Sequence, residues 1–167
     1  RAAAAAALGA DPGVFAAALA FFRPVEGRGR RETIRLPDGE ALLLDESYNA
    51  SPAALRAALA VLALAPARRR IAVLGDMLEL GDAAPALHAE LAPDAAAAAD
   101  LVFCCGPLTR HLFEALPPGK RGAHLPDSTA LAAMLRPRLL PGDAVLVKGS
   151  LGSRMGVVVQ ALKETPR

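Results

Sequence analysis

Aromatic residues and cysteines are scarce in this sequence of 167 residues, which has no tryptophan, one tyrosine and two cysteines. The two cysteines, Cys104 and Cys105, are adjacent within an apolar run, and neighbouring residues of a strand point to opposite faces. A disulfide between them is therefore disfavoured, and the spacing typical of metal ligands is absent. We interpret both as buried structural thiols of a protein that works in the reducing cytoplasm.

Long apolar runs and an excess of one charge are missing as well. No run approaches the roughly 20 residues that a membrane-spanning helix needs, and residues 2–7 lack the ordered regions of a signal peptide. The 19 basic and 17 acidic residues nearly balance. The basic groups at residues 28–31 and 68–70 contain no aromatic residue, and we interpret the second group as solvated loop ends. Neither a membrane span nor a nucleic-acid partner is expected.

The chain begins at Arg1 and not at methionine, and its first residues already lie within a helical pattern. We therefore expect it to be a fragment of a longer protein. Residues 1–22 predict two short helices, broken where Asp11 precedes Pro12 as an N-cap. Residues 24–29 are rich in glycine and charge, which predicts a linker.

Strand and helix patterns alternate from residue 33 onwards. The turn signal Pro37-Asp38-Gly39, between residues 33–36 and 41–44, predicts a β-hairpin. Further strands are predicted at residues 71–74, 101–105, 122–125 and 144–147, and helices at residues 52–64, 83–98, 108–116, 128–135 and 154–162. This order predicts an α/β fold, with a Rossmann-like, mostly parallel sheet that has helices on both faces and is preceded by the hairpin.

Two helical residues that attract functional interpretations are expected to be structural. Met155 begins a stripe with Val158, Val159 and Leu162 at the spacing of one helix face, which predicts burial in the core. His88 stands alone in the helix predicted at residues 83–98, and we interpret it as a structural histidine.

Three of the five loops that follow predicted parallel strands are the most polar and glycine-rich stretches of the sequence. They read Asp-Glu-Ser-Tyr-Asn-Ala-Ser-Pro at residues 45–52, Gly-Asp-Met-Leu-Glu-Leu-Gly at residues 75–81 and Val-Lys-Gly-Ser at residues 147–150. Right-handed crossovers place all these loops on one edge of the sheet, which is where α/β proteins bind ligands. We therefore expect the three loops to form one site.

Each of these polar segments also has a plainer structural interpretation that stays open. Residues 75–81 are compatible with a strand-to-helix turn in which Asp82 caps the helix. Lys148 and Ser150 are compatible with a surface lysine and an N-cap serine. Residues 27–30, which read Gly-Arg-Gly-Arg, are compatible with a flexible basic linker.

The three loops resemble, in the same order, those of the Mur ligase family. Residues 45–52 match, nearly letter for letter, the Asp-Asp-Ser-Tyr-Asn-Ala-Asn-Pro loop that opens the C-terminal domain of the D-alanyl-D-alanine-adding members. Residues 75–81 carry a hallmark sequence of the same members. Residues 146–150 read Leu-Val-Lys-Gly-Ser, as those members do.

The sequence departs from the family pattern directly after the third loop. Leu151 stands where family members often have arginine, and Gly156 stands where many have glutamate. Arg154 is a candidate to replace the missing positive charge. No acidic role can be assigned at Gly156.

The resemblance implies a ligase that uses ATP and Mg²⁺ to join D-alanyl-D-alanine to UDP-MurNAc-tripeptide through an acyl phosphate, in peptidoglycan synthesis. In this family the P-loop and the magnesium ligands belong to the central domain, and this sequence has no Gly-x-x-x-x-Gly-Lys-Ser/Thr. The resemblance therefore implies that residues 1–26 end the central ATP-binding domain and its linker, and that residues 27–167 are the C-terminal domain. That domain would close on the N-terminal and central domains of its own protein. No catalytic residue and no metal ligand is assigned to this chain, which should be inactive alone.

Roles on the nucleotide side follow from the matched positions. The resemblance implies that Asp45 accepts hydrogen bonds from the ribose hydroxyls. Mur ligases direct the arginine of a Gly-Arg element towards the nucleotide, and the choice between Arg28 and Arg30 stays open. Tyr48 and Asn49 would line the nucleotide or dipeptide side.

Roles on the dipeptide side rest on the resemblance and on charge complementarity. Asp76 and Glu79 occupy the loop that recognises the incoming amino acid in related ligases, which implies contact with the dipeptide ammonium. Lys148 and Ser150, between a strand end and a helix start, would then meet its carboxylate.

Two other functions stay open at this point. One is another Mur ligase or a folylpolyglutamate-synthase-like amide ligase, although such relatives commonly have histidine after an Asp-Tyr-Ala or Asp-Gly-Ala start, and Ser47-Tyr48-Asn49 disfavours them. The other is a non-catalytic nucleotide-binding module. The absence of Gly-x-Gly-x-x-Gly after a strand counts against dinucleotide binding.

Overall fold

The computed structural model of the chain describes Gly9 and residues 25–164. The strands are β1 (Arg30–Leu36), β2 (Gly39–Glu46), β3 (Arg69–Gly75), β4 (Leu101–Cys105), β5 (Arg121–Leu125) and β6 (Asp143–Lys148). The α-helices are α1 (Pro52–Ala63), α2 (Ala84–Ala89), α3 (Ala92–Ala98), α4 (Thr109–Ala115), α5 (Ser128–Leu135) and α6 (Gly156–Lys163). Single 3₁₀ turns lie at Gly81–Ala83, Pro118–Lys120, Arg136–Arg138 and Leu151–Ser153. The two helices predicted within residues 1–22 lie outside the described residues, apart from Gly9.

The described strands form one sheet in the order β1-β2-β6-β3-β4-β5. β1 and β2 form the predicted antiparallel hairpin, in which Thr33 lies opposite Leu42. All other neighbours in the sheet pair in parallel, which confirms the mostly parallel sheet. The edge strand β1 carries the exposed Arg31 and Arg35, whose charges oppose pairing with a further strand.

Alternate residues of the strands enter two separate cores, one on each face of the sheet. Leu44 and Leu146 pack with α1, α3 and α4, whereas their neighbours Leu43 and Val145 pack with α5 and α6. Helices cover both faces, as predicted, because the chain crosses the sheet in one direction from β2 to β5 and then returns to β6.

The two cysteines lie where the alternation places them. Cys104 belongs to the core beside α1, and Cys105 belongs to the core beside α5 and α6. Both thiols are free and buried, which confirms their interpretation as buried residues that are not joined to each other. Burial raises the pKa of the Cys104 thiol well above its usual range and raises the pKa of the Cys105 thiol to about 12.

The region predicted as one helix at residues 83–98 contains two. α2 ends at Ala89, and Pro93 in the first turn of α3 has no N–H with which to continue the hydrogen bonds of a single helix. Within residues 25–164, none of the helices combines the length and the apolar character needed to cross a membrane.

The last helix has the predicted buried face but a later start. Val158, Val159 and Leu162 are its buried residues, and Met155, directly before the helix, is buried with them. The helix begins at Gly156, because Arg154 adopts the left-handed conformation, with φ of 53° and ψ of 36°.

The interpretation of residues 68–70 as solvated loop ends is wrong for two of them. Arg69 and Arg70 lie in β3, and both are partly buried. The guanidinium of Arg69 pairs with Asp143 at 2.7 Å, and the hydrogen bond with Asp143 raises the pKa of Arg69. Arg70 donates from Nη2 to the carbonyl oxygen of Ala65 at 3.0 Å. The side chains of both arginines thus bind the amino end of β3 to neighbouring segments, at Asp143 of β6 and at Ala65 after α1.

We expect both thiols to resist alkylation in the native protein at neutral pH, because the thiolate is the reactive form and burial disfavours it. Treatment with iodoacetamide and mass spectrometry should find unmodified native protein, whereas protein in denaturant should gain two labels. Rapid labelling of native protein at either cysteine would contradict the placement of β4 inside the sheet.

Candidate functional site

At three places along the carboxyl edge of the sheet, two neighbouring strands are followed by helices that lie on opposite faces of the sheet. These places lie between β2 and β6, between β6 and β3, and between β4 and β5. Ligands of open α/β sheets bind at such places. The first holds a cavity that we name the Tyr48 cavity, and the third holds one that we name the Asp127 cavity.

The Tyr48 cavity has a volume of about 310 Å³. Its lining includes Asp45, Tyr48, Leu151, Arg154 and Met155. Tyr48 is 42% exposed, and the guanidinium carbon of Arg28 lies 4.1 Å from the centroid of its ring. An aromatic surface and a positive charge are thus held together beside the cavity.

Asp45 is fully buried at the end of β2. Its Oδ2 accepts the backbone N–H of Gly27 at 3.0 Å, and its Oδ1 accepts both the N–H and the hydroxyl of Ser47, at 3.1 and 2.6 Å. Gly27 has φ of +73°, and a Cβ there would lie 2.9 Å from the Cβ of Tyr48. The carboxylate therefore anchors the segment before β1 against the loop after β2, and a ribose contact stays a prediction.

The two arginines that the sequence left as alternatives lie in different surroundings. Arg28 stacks on Tyr48, next to the Tyr48 cavity. Arg30 lies in β1, where its Nε is 3.6 Å from Glu32, and it lines a different cavity beside α1. Of the two, Arg28 is therefore the one placed next to the Tyr48 cavity.

Lys148 is 3% exposed, so its interpretation as a surface lysine is wrong. Its ammonium donates to the carbonyl oxygen of Asn49 at 2.8 Å and lies 3.7 Å from Glu46. Burial lowers the pKa of Lys148 from its usual 10.5, against the opposing effect of Glu46. The predicted Asn49 is exposed, and its side chain accepts the N–H of Ala50 at 2.8 Å.

The hydroxyl of Ser150 joins all three polar loops. It accepts the N–H of Leu78 at 2.9 Å and donates to the carbonyl oxygen of Ala50 at 3.5 Å. The backbone N–H of Ser150 donates to the carbonyl oxygen of Asp76 at 2.9 Å. Ser150 does occupy the N-cap position of the turn Leu151–Ser153, but its side chain makes no capping hydrogen bond. The three loops therefore contact one another, and their forming one ligand site stays a prediction.

The two acidic residues of the second loop have different surroundings. Asp76 is buried, and its Oδ1 accepts the N–H groups of Leu108 and Thr109 at 3.0 and 2.7 Å, at the start of α4. Glu79 is exposed and has φ of 64°, which is uncommon for a residue other than glycine. Asp82 makes no capping hydrogen bond, so that interpretation is wrong.

His88 holds the second polar loop, residues 75–81, through a hydrogen bond to its backbone. Its Nε2 accepts the N–H of Met77 at 3.0 Å, and its Nδ1 lies 2.7 Å from the carbonyl oxygen of Ala84. An imidazole that accepts at Nε2 and donates at Nδ1 is neutral. With only 1% of its surface exposed, His88 is structural, as expected.

The place between β6 and β3 is filled by the chain itself. A Cβ on Gly75 would lie 2.6 Å from the sulfur of Met155, and one on Gly149 would lie 2.6 Å from its Cγ. Ser153 donates to the carbonyl oxygen of Asp76 at 2.8 Å. The crevice between the second and third polar loops therefore has no room for a ligand in this conformation.

Open space lies instead in the Asp127 cavity, which has a volume of about 260 Å³. Its lining includes Asp76, Gly106, Asp127, Ser128, Ser153 and Arg154. Asp127 was missed by sequence reasoning. The signal was the stretch Pro-Asp-Ser-Thr after β5, which is polar but follows a weak strand pattern.

Comparisons with known proteins show which family this chain resembles. Residues 29–151 match the family described as Mur ligase, glutamate ligase domain. The UDP-N-acetylmuramoyl-tripeptide–D-alanyl-D-alanine ligase of Escherichia coli is 37% identical over 160 residues, which cover 94% of this chain and 34% of that ligase. The ligase of the same name from Synechocystis sp. is 37% identical over 150 residues, covering 80% of this chain and 32% of that ligase.

Solved structures show the same likeness. The MurF ligase of Thermotoga maritima, crystallised in complex with ADP, matches with a TM-score of 0.76 and 28% identity, over 96% of this chain and 35% of that one. MurF of Acinetobacter baumannii matches with a TM-score of 0.77 and 25% identity, again over 96% of this chain and 35% of that one. The chain thus spans about a third of the length of the relatives it matches.

We expect Asp45→Asn to lower the free energy of unfolding by about 1–3 kcal/mol, because an amide cannot accept at both of its ends and leaves a buried donor unsatisfied. Urea unfolding followed by circular dichroism measures the change. Asp38→Asn, in the exposed hairpin turn, is the matched control and should be close to neutral. Equal free energies of unfolding for Asp45→Asn and Asp38→Asn would contradict the anchoring role of Asp45.

Lys148 should make stability depend on alkaline pH. Its pKa is lower in the folded than in the unfolded chain, so the unfolded chain binds more protons in the interval below 10.5. The free energy of unfolding of the wild type, relative to Lys148→Met, should therefore rise as the pH increases from neutral towards 10.5. Lys120→Met is a matched control, since that ammonium also donates to a backbone carbonyl oxygen. A constant difference between wild type and Lys148→Met would contradict the effect of burial.

Proposed function

This chain belongs to the Mur ligase family, and we propose that residues 27–167 form the C-terminal domain of a ligase that joins D-alanyl-D-alanine to UDP-MurNAc-tripeptide in peptidoglycan synthesis. The observation that carries the proposal is the 37% identity, along most of this chain, to ligases named for that reaction. Residues 1–26 would be the end of the preceding ATP-binding domain and its linker. We further propose that the protein works in the cytoplasm.

The nucleotide is proposed to lie against the Tyr48 cavity. The exposed ring of Tyr48 and the guanidinium of Arg28 offer stacking and a positive charge, both suited to a nucleotide. The crystal structure of the Thermotoga maritima relative in complex with ADP supports nucleotide use. For Asp45 to accept ribose hydroxyls, its fully buried carboxylate must be uncovered, and a shift of the segment before β1 would supply that change.

The dipeptide is proposed to lie in the Asp127 cavity. Its ammonium would meet Asp76, whose Oδ1 is occupied by α4, and Asp127 on the other side of the same cavity. Glu79, on the adjacent exposed loop, adds negative charge near this edge. Lys148 and Ser150 would act by holding the loops in place, because both are buried and their donors already bond to the carbonyl oxygens of Asn49 and Ala50.

The chemical contribution of this domain would be positioning and the exclusion of water. ATP would supply the phosphoryl group that activates the carboxylate of the tripeptide, as an acyl phosphate. Closure of the domain would bring the dipeptide amine into line with that carboxyl group and shield it from hydrolysis. We propose that the phosphates and Mg²⁺ are held mainly by the central domain, so that this chain alone is inactive.

We expect the full-length ligase, supplied with ATP and Mg²⁺, to produce ADP only when both UDP-MurNAc-tripeptide and D-alanyl-D-alanine are present. Glu79→Gln should raise the KM for the dipeptide about 10-fold, the scale of one charged hydrogen bond, and leave the KM for ATP unchanged. A coupled ADP assay measures both constants.

Asp82→Asn is the matched control, since it removes an exposed acidic charge three residues further along the chain, at a position with no proposed contact to the dipeptide. An unchanged dipeptide KM in Glu79→Gln would exclude the ammonium role of Glu79. Turnover with another amino acid in place of the dipeptide would overturn the choice of substrate.

A further inference from the structure

Arg154 has a backbone conformation that disfavours its own side chain. Its φ of 53° places it in the left-handed region, where the described part of the chain otherwise has only glycines and Glu79. The residue ends the 3₁₀ turn Leu151–Ser153 and comes two positions before α6. Glycine adopts this conformation without strain and would suffice for the turn. Strain of this kind, kept at the edge of a cavity, points to a use for the side chain.

Arg154 lines both the Tyr48 cavity and the Asp127 cavity. It therefore lies at the boundary between the proposed nucleotide and dipeptide sites. Among residues 25–164, no hydrogen bond or ion pair holds its guanidinium, in contrast to Arg69, which pairs with Asp143. Five N–H donors in a planar fork are therefore available to a ligand.

The carboxylates near Arg154 already have partners. Asp45 accepts from Gly27 and Ser47, and Asp127 accepts the N–H of Ala130 at 2.8 Å, as the cap of α5. Asp76, which also lines the Asp127 cavity, accepts at Oδ1 only, and within residues 25–164 none of these carboxylates forms an ion pair with Arg154. The positive charge of Arg154 is therefore left for an external oxyanion, for which arginine has the appropriate geometry.

Leu151 stands three positions before Arg154, at the other end of the same 3₁₀ turn. The N–H of Arg154 donates to the carbonyl oxygen of Leu151 at 3.0 Å. Leu151 also lines the Tyr48 cavity, and its side chain is 65% exposed. An arginine at position 151 would thus reach the same cavity from the other end of the turn.

We propose that Arg154 binds an oxyanion of a substrate at the boundary of the two cavities, and that an arginine at position 151 would serve the same oxyanion from the other end of the turn. The inference rests on the proposed function for the identity of the substrate. The oxyanion is either a phosphate group of the nucleotide or the carboxylate of the dipeptide, and the two sources are separated by experiment.

The test uses the full-length ligase with three variants: Arg154→Gly, Arg154→Gly combined with Leu151→Arg, and the control Arg138→Gln at the opposite edge of the sheet. Arg154→Gly should unfold at the same temperature as wild type or higher, because glycine suits the backbone. It should raise one KM about 10- to 100-fold, the range of a lost charged contact. The double variant should recover at least part of that loss, and the control should match wild type.

The outcomes separate the two sources and the two proposals. A raised KM for D-alanyl-D-alanine alone identifies the carboxylate, and a raised KM for ATP alone identifies a phosphate group. The proposal is overturned if Arg154→Gly has the KM values of wild type. It is also overturned if adding Leu151→Arg does not lower the raised KM of Arg154→Gly at all.

A wild type without dipeptide-dependent turnover would refute the proposed function and not this inference. Calorimetric titrations with pyrophosphate and with acetate then decide, since equal binding of both anions by wild type and Arg154→Gly overturns the role of Arg154 as an oxyanion ligand.

Discussion

The carboxyl edge of the sheet depends on one constraint, which is that buried polar groups must satisfy one another. Ser150 makes this visible, because its hydroxyl and N–H connect the loops that follow β2, β3 and β6. Lys148 and Asp76 complete the arrangement with bonds to Asn49 and to the start of α4. The loops are thereby fixed relative to one another before any ligand arrives.

This internal network divides the polar residues of the edge into two groups. Asp45, Asp76, Lys148 and Ser150 are buried and hold the loops. Tyr48, Glu79 and Arg154 are exposed, and the last two keep backbone conformations that glycine would adopt more readily. A preorganised frame with a few exposed contacts is consistent with the proposed function, in which the domain would present substrates in a fixed geometry as it closes.

Periodicity and turn chemistry predicted the fold well because both are local properties. The hairpin, the four parallel strands after it and the separation of Cys104 from Cys105 all follow from alternation and from Pro37-Asp38-Gly39. The failures were local conflicts decided by packing or by special residues. Pro93 divided a predicted helix, and Arg154 delayed the start of another. Arg69, predicted in a solvated loop, lies in β3 and pairs with Asp143.

The sequence by itself determined the fold class, the family and the loops that meet at one edge. These depend on the succession of strands and helices along the chain and on the composition of each loop, which are local properties. Only the tertiary structure decided which polar side chains are committed to the frame and where space remains. Met155 fills the crevice between β3 and β6, and the open cavities lie on either side of it. Burial and hydrogen bonding join residues far apart in the chain, such as Lys148 and Asn49, so no local pattern could assign them.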